Sequence, residues 1–166
     1  LSASDRDARP ERDPAGAAAT AGSRDPTIAI RLGVPADLPR ISEIRLGVSE
    51  NRLADPTSIT PAMCLEFMEH HGDFWVHDMA GVITGFSAAD RRWGSIWALF
   101  VAAEFTGLGI GRALLDRACL TLRQAGHADA TLTTTAATYA EGFYRSQGWR
   151  ETARTPGGEI VFRKRL

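Results

Sequence analysis

At 166 residues, the chain fits a single domain able to bury one core. Its formal net charge of −1, with 44% hydrophobic and 23% charged residues, describes an ordinary soluble composition with no global attraction for nucleic acid or anionic membrane. No apolar run approaches the ~20 residues a bilayer span requires, and His70, His71, His77 and His127 show no spacing with Cys or carboxylates that suggests a metal site.

Residues 1–26 mix Ala, Asp, Arg, Gly, Ser and Pro with almost no large apolar side chains, too few to offset the entropy of ordering them. Scattered acidic residues, and no apolar stretch behind a basic start, argue against a secretory signal or a transit peptide. The expectation is a disordered extension before a domain over 27–166. Thr27–Leu32 alternates as a short strand. Asp37 suits a helix N-cap with Pro39 in the first turn, and Ile41, Ile44 and Val48 supply its apolar stripe. Thr60-Pro61 reads as N-cap and first position of a second helix, with Met63, Cys64, Phe67 and Met68 on one face and Gly72 past its end. Phe74–His77 and Val82–Ser87 flank an Ala80-Gly81 turn, and Ser95–Val101 is apolar enough to be buried on both faces.

Thr106-Gly107-Leu108-Gly109-Ile110-Gly111 joins that strand to an amphipathic helix. Ile110, Leu114, Leu115, Ala118, Cys119 and Leu122 fall at helical spacing, Arg112, Asp116, Arg117 and Arg123 face away, and Gly126 ends it. Glycines let backbone approach a ligand closely, and the unpaired amides at a helix start form an anion site with the positive end of the helix dipole. A diphosphate is the natural guest; a tight turn with no ligand is the plainer alternative. A dinucleotide fingerprint would need glycine at position 112, which is Arg112, and an acidic residue ~20 positions on, which is absent. A Gly-Lys-Ser/Thr phosphate loop is absent too. Coenzyme A remains, and Arg112 can add a charge to its phosphates.

Further along, Thr131–Thr133 is β-branched, Thr138-x-x-Glu141 is a capping box for a short helix ending at Gly148, and Trp149–Arg154 with Glu159–Arg163 closes the chain as a hairpin. The order β, α, α, β, β, β, α, β, α, β, β describes an α/β fold, a mixed sheet with helices on its faces. Cys64 and Cys119 lie on apolar helix faces, where free buried thiols in a reducing cytoplasm are expected.

Two stretches carry a family resemblance. Val101-x-x-x-x-Thr106-Gly107-x-Gly109-Ile110-Gly111-Arg112-Ala113-Leu114-Leu115 resembles the acetyl-CoA signature of the GCN5-related N-acetyltransferase (GNAT) superfamily, and Phe143-Tyr144-x-x-x-Gly148-Trp149 resembles its later helix-turn-strand motif. Ile96–Val101 and Glu50–Leu53 resemble an uncharacterised subgroup of it. The resemblance implies a mostly antiparallel, twisted sheet of six or seven strands flanked by four helices and splayed at the central strand to admit acyl-CoA. It implies that Leu99, Phe100 and Val101 pair with the pantetheine arm, with a backbone amide at a β-bulge there serving as oxyanion hole. Thr106, Gly107, Leu108, Gly109, Ile110, Gly111 and Arg112 would wrap the pyrophosphate, and Tyr144 would protonate the departing thiolate.

Several positions depart from the family pattern. Thr106 stands where Gln or Arg is usual, Ala103 where Pro is frequent, and Ala137 where Asn often contacts the pantetheine arm. No carboxylate occupies Ala98 or Leu132, where relatives often place a general base; Glu104 reads as a solvated turn residue, leaving a water chain, or Glu50 and Asp90 on the acceptor side, as candidates. Trp93 and Trp97 are candidates for lining a substrate pocket, with core or rim packing the plainer reading. The expected function is acetyl transfer from acetyl-CoA, as co-substrate and without metal, to a primary amine of a small molecule or peptide. Direct attack by the neutral amine needs proximity and an oxyanion hole more than a strong base. The alternative is a non-catalytic acyl-CoA sensor or interaction module. Neither nucleic acid nor membrane is expected as partner, and the resemblance leaves room for a homodimer.

Overall fold

A computed structural model describes residues 28–48 and 58–166. The extension expected over 1–26, the first residue of the expected strand at Thr27, and Glu50–Leu53 lie outside the described residues.

Strand β1 (Ile28–Leu32) leads through a 3-10 turn into α1 (Leu38–Gly47). Asp37 sits at the α1 N-cap position, but its carboxylate does not cap the helix. It accepts instead from the Val34 amide at 2.8 Å and pairs with Arg31 at 2.8 Å, and Arg31 also reaches Asp78 at 3.0 Å. The buried carboxylate thus ties β1 to the turn before α1. Helix α2 (Pro61–His70) starts as its sequence predicts, with Thr60 Oγ1 accepting from the Met63 amide at 3.2 Å. Strands β2 (Gly72–Met79) and β3 (Val82–Asp90) are longer than expected and meet at Ala80-Gly81, both at positive φ. β4 (Ser95–Val101) has its expected bounds and runs toward α3 (Ile110–Gln124). β5 (Asp129–Thr134), α4 (Tyr139–Ser146), β6 (Arg150–Arg154) and β7 (Ile160–Arg165) complete the chain.

The seven strands form one sheet in the order β1-β2-β3-β4-β5-β7-β6. Every neighbouring pair is antiparallel except β4 and β5, which run parallel and share one rung, Ser95 with Thr131. Beyond that rung the two strands diverge. The core divides accordingly. α1 and α2 pack on β2, β3 and β4 through Ile41, Ile44, Phe67, Phe74, Val76 and Phe86. On the other face α3 packs across β2, β3 and β4, burying Trp75 with Ile110 and Leu114. There α3 and α4 together cover β5 and β7, with Leu115, Leu122, Leu132, Trp149, Ile160 and Phe162 buried. Five of the six residues of the expected α3 stripe, Ile110, Leu114, Leu115, Ala118 and Leu122, are buried, and the sixth, Cys119, is half-buried.

Strand β4 corrects one expectation. It is not buried on both faces: Ile96 is, but Leu99, Phe100 and Val101 are half-buried and Trp97 is 38% exposed. The reason is the divergence from β5, which leaves the outer half of β4 without a neighbour on one side. A bulge adds to this. Ala88 pairs with Ala98 but Ala89 with Ile96, so Trp97 is the extra residue. Trp97 and Ala98 therefore both face α2, and Trp97 stacks on Phe67 with centroids 4.6 Å apart. The bulge lies just before Leu99 rather than within Leu99–Val101, where the resemblance implied it.

Candidate active site

The divergence of β4 from β5 opens a cleft of about 590 Å³. Its walls come from the outer half of β4, the loop and first turn of α3, the end of α1 and the inner face of α4. Leu99, Phe100, Val101, Thr106, Gly107, Gly109, Ile110, Gly111, Arg112 and Tyr144 line it, so every residue expected at the site except Leu108 is brought together there. The Leu108 side chain points out and is 67% exposed.

After Ala102 a 3-10 turn over Ala103–Phe105 delivers the chain to Thr106. The Thr106 hydroxyl donates to the Ala103 carbonyl at 2.8 Å and so serves the turn. Gly107 (φ 80°) and Gly109 (φ 79°) then adopt left-handed conformations, which a side chain would strain. An added Cβ at either would meet nothing within 4 Å, so glycine is required there by backbone angle and not by crowding. The first amide of α3 to find a backbone acceptor is that of Ala113, bonded to the Gly109 carbonyl at 3.1 Å. The six amides from Gly107 to Arg112 have no acceptor among the described residues. This row at the positive end of a 15-residue helix could hold an anionic group by backbone donors alone. Arg112 lies beside it, in a long 3.9 Å contact with Asp116.

The second half of β4 offers further backbone donors and acceptors. Ala102 donates to Thr84 of β3 at 2.8 Å, so alternation directs the amides and carbonyls of Leu99 and Val101 away from β3 and into the cleft. Opposite them, Tyr144 rests in an aromatic group with Phe143, Trp149 and Phe162, its ring centroid 5.3, 6.0 and 6.1 Å from theirs. Its side chain is 8% exposed, and its hydroxyl makes no hydrogen bond to the described residues. Burial, with a smaller contribution from the nearby Cys119, pushes this hydroxyl above its ordinary range. It therefore stays protonated at neutral pH and can act as a hydrogen-bond or proton donor. Burial likewise pushes the Cys119 thiol up to about 11. Cys64 is buried, its thiol is also raised by burial, and both cysteines are free. Phe143 lies near the α3 start: a Cβ added at Gly111 would be 3.7 Å from both Phe143 and Val101.

The acceptor-side candidates fare differently. Asp90 is not an exposed carboxylate: it is 5% exposed and paired with Arg92 at 2.7 Å. Desolvation pushes its carboxyl up, but hydrogen bonds from the Arg92 side chain and amide outweigh that and hold it below the ordinary range. A charge so satisfied is a poor base. Glu104 is 61% exposed in a 3.6 Å contact with Arg40, as a turn residue would be. Glu50 lies outside the described residues. Trp93 is 75% exposed on the β3–β4 turn, and Trp75 is a core residue whose Nε1 donates to Thr121 at 2.9 Å. Among the described residues no group of His, Cys, Asp or Glu could hold a metal, and no helix is long and apolar enough to cross a membrane.

Sequence reasoning missed two features of this site. Ala137 adopts φ 58°, and the Glu141 carboxylate accepts from the Ala137 amide at 2.7 Å while Thr138 Oγ1 accepts from the Glu141 amide at 3.3 Å. The capping box thus closes one residue early. Its Thr-x-x-Glu spacing was visible, but the left-handed alanine was not. Gly47 and Val48, at the end of α1, also border the cleft, and nothing local in their sequence marks them.

The fold is shared with solved acetyltransferase structures. Over 84% of this chain it matches yncA of Salmonella typhimurium, solved with its cofactor acetyl-CoA (21% identity, 94% of that chain, TM-score 0.70). The same share matches the ribosomal-protein-S18-alanine N-acetyltransferase of Escherichia coli (19% identity, 94% of that chain, TM-score 0.69). It also matches the PaiA N-acetyltransferase of Thermoplasma acidophilum in complex with coenzyme A (16% identity, 99% of that chain, TM-score 0.72). No curated protein sequence matches the chain at a significant level. The family model of the acetyltransferase (GNAT) domain, however, matches residues 48–159, from the edge of the cleft at Val48 to the last hairpin. With that match spanning most of the sheet, the glycine loop and Tyr144, the chain belongs to the GNAT acetyltransferase family.

Proposed function

We propose that this protein transfers the acetyl group of acetyl-CoA to a primary amine of a small molecule or peptide. The observation that carries the reading is the row of six unpartnered amides from Gly107 to Arg112, set in the same cleft as the Tyr144 hydroxyl. The amides suit the pyrophosphate. The free edge of β4 at Leu99 and Val101 suits the amides of the pantetheine arm, as an added strand. That arrangement would bring the thioester toward Leu99 and Tyr144. The neutral amine attacks the thioester carbonyl carbon, and a β4 amide stabilises the oxyanion. The C–S bond then breaks, the thiolate takes the proton of the Tyr144 hydroxyl, and the new amide nitrogen releases its extra proton to water, from which Tyr144 recovers its own. Proximity and the oxyanion contact supply most of the acceleration.

The test is incubation with acetyl-CoA and a panel of primary amines and peptides, reading free thiol and the mass of the acetylated product. Thiol release matched by N-acetylated product is expected for at least one class of acceptor. No product across a broad panel, with CoA bound, would favour a second reading, a non-catalytic acyl-CoA sensor. One observation supports that alternative: Asp90, the described acceptor-side carboxylate, is neutralised by Arg92.

A further inference from the structure

The two halves of the sheet are covered unequally. The α1/α2 core contains residues of β2, β3 and β4 but none of β5, β6 or β7. On β5 and β7 the buried residues Ala130, Leu132, Ile160 and Phe162 face α3 and α4. Alternation then sends Thr131, Arg163 and Arg165 to the opposite face, where no helix of the described residues covers them. Trp97 faces the same side at the mouth of the splay, one ring face against Phe67.

On this bare face Arg150 of β6 lies directly opposite Arg163 of β7 in the strand register. Like charges directly opposed destabilise a strand pair. Asp129, directly opposite Arg165 in the β5–β7 register, pairs with Arg163 at 3.5 Å, while Arg150 and Arg165 make no ion pair among the described residues. Arg150, Arg163 and Arg165 outnumber Asp129 on this face, so its β7–β6 side is cationic although the whole chain carries a net charge of −1. An anion laid across β6 and β7 would relieve the repulsion. At the Ser95–Thr131 rung, before β4 and β5 diverge, Arg163 of β7 lies two strands from β4, about 10 Å at ordinary strand spacing. An extended peptide rising roughly 3.3 Å per residue would cover that distance in a few residues.

We propose that the exposed face of β5, β7 and β6 docks the acidic stretch of a polypeptide acceptor. Arg150 and Arg163 pair with carboxylates a few residues from the amine, which enters beside Trp97. The inference rests on the amine-acetylation reading and narrows its acceptor to an acidic peptide segment.

The test uses two peptides with the same free amino terminus, one carrying Asp or Glu at the third to fifth positions and the other Asn or Gln. Each is titrated by calorimetry into the full chain saturated with CoA. The acidic peptide is expected to bind about fivefold more tightly, the yield of two exposed ion pairs, with the advantage screened away by added salt. The preference should vanish in the Arg150→Gln, Arg163→Gln double variant and persist in Arg123→Gln, an exposed arginine on α3. Equal affinity for the two peptides, or an unchanged preference in the double variant, overturns the proposal. Binding is read apart from turnover: acid-selective binding without acetyl transfer supports the platform and contradicts the transferase, and transfer without acid preference does the reverse.

Discussion

Ser95 pairs with Thr131, and that rung is the whole ladder between β4 and β5 among the described residues. All other neighbouring strands pair over several residues. Everything chemical in this fold follows from that economy. A sheet that came apart anywhere else would expose its core, but here α3 and α4 close one side of the gap, and the strand edges left unpaired face the cleft.

The amide row predicts a charge-specific effect at Gly107. Asn and Asp tolerate left-handed backbone better than other side chains do, and an added Cβ there meets open space. Gly107→Asn and Gly107→Asp should therefore have similar melting temperatures. CoA affinity should fall at least about tenfold further in the Asp variant, because its carboxylate would face the phosphates. Equal affinities by calorimetry would remove the loop from the binding site.

Tyr144→Phe should lower kcat by about 10²-fold, the scale of a general acid, with CoA affinity little changed. In the wild-type enzyme, kcat/KM should rise with pH as the acceptor amine deprotonates and show no basic limb through pH ~9, since the Tyr144 hydroxyl is held above its ordinary range near 10. A basic limb below that, absent in Tyr144→Phe, would assign the hydroxyl an ordinary titration and contradict the burial argument.

Ala137 is strained where Asn is at home. At φ 58° an alanine costs roughly 1 kcal/mol relative to relaxed backbone, so Ala137→Asn should raise stability by about 0.5 kcal/mol. The melting temperature reads it. A decrease would mean that the Glu141 contact to the Ala137 amide depends on the small side chain.

Acid should destabilise the fold in two steps. Burial, opposed by the nearby Asp78, holds the His77 imidazole below its ordinary range, and its Nδ1 lies 2.7 Å from Thr84 Oγ1. Between that lowered value and the unfolded value near 6.5 the unfolded chain binds more protons, so stability falls as pH drops through this window. Hydrogen bonding from Arg31, outweighing desolvation, lowers the Asp37 carboxyl. Its contribution is present above the unfolded value near 3.9 and is lost as pH falls through the folded one. Asp37→Asn should cost ~1–3 kcal/mol at pH 7 and flatten the lower step. Melting temperatures across pH check both signs.

Much of this was legible in the sequence where local chemistry decides. The periodicity of Ile110 to Leu122 foretells the buried stripe of α3, Thr60-Pro61 foretells the α2 start, and the glycine spacing excludes a dinucleotide site. What was hidden depends on neighbours distant in sequence. An apolar strand looks buried whether or not its partner diverges, so the half-exposed Leu99 to Val101 could not be foreseen. Nor could the bulge at Trp97, which register across β3 decides. Asp90 reads in the sequence as an acceptor-side candidate, and only the turn back to Arg92 reveals it as neutralised. The opposition of Arg150 and Arg163 likewise exists only once the last hairpin has chosen its register.

The most direct measurement is a calorimetric titration of coenzyme A into the wild-type chain and into Gly109→Trp, with circular dichroism confirming that both are folded. Saturable binding of one CoA per wild-type chain, lost in the variant, is the predicted result. Undiminished affinity in Gly109→Trp, or no heat of binding at millimolar CoA in the wild type, would contradict the assignment of this cleft.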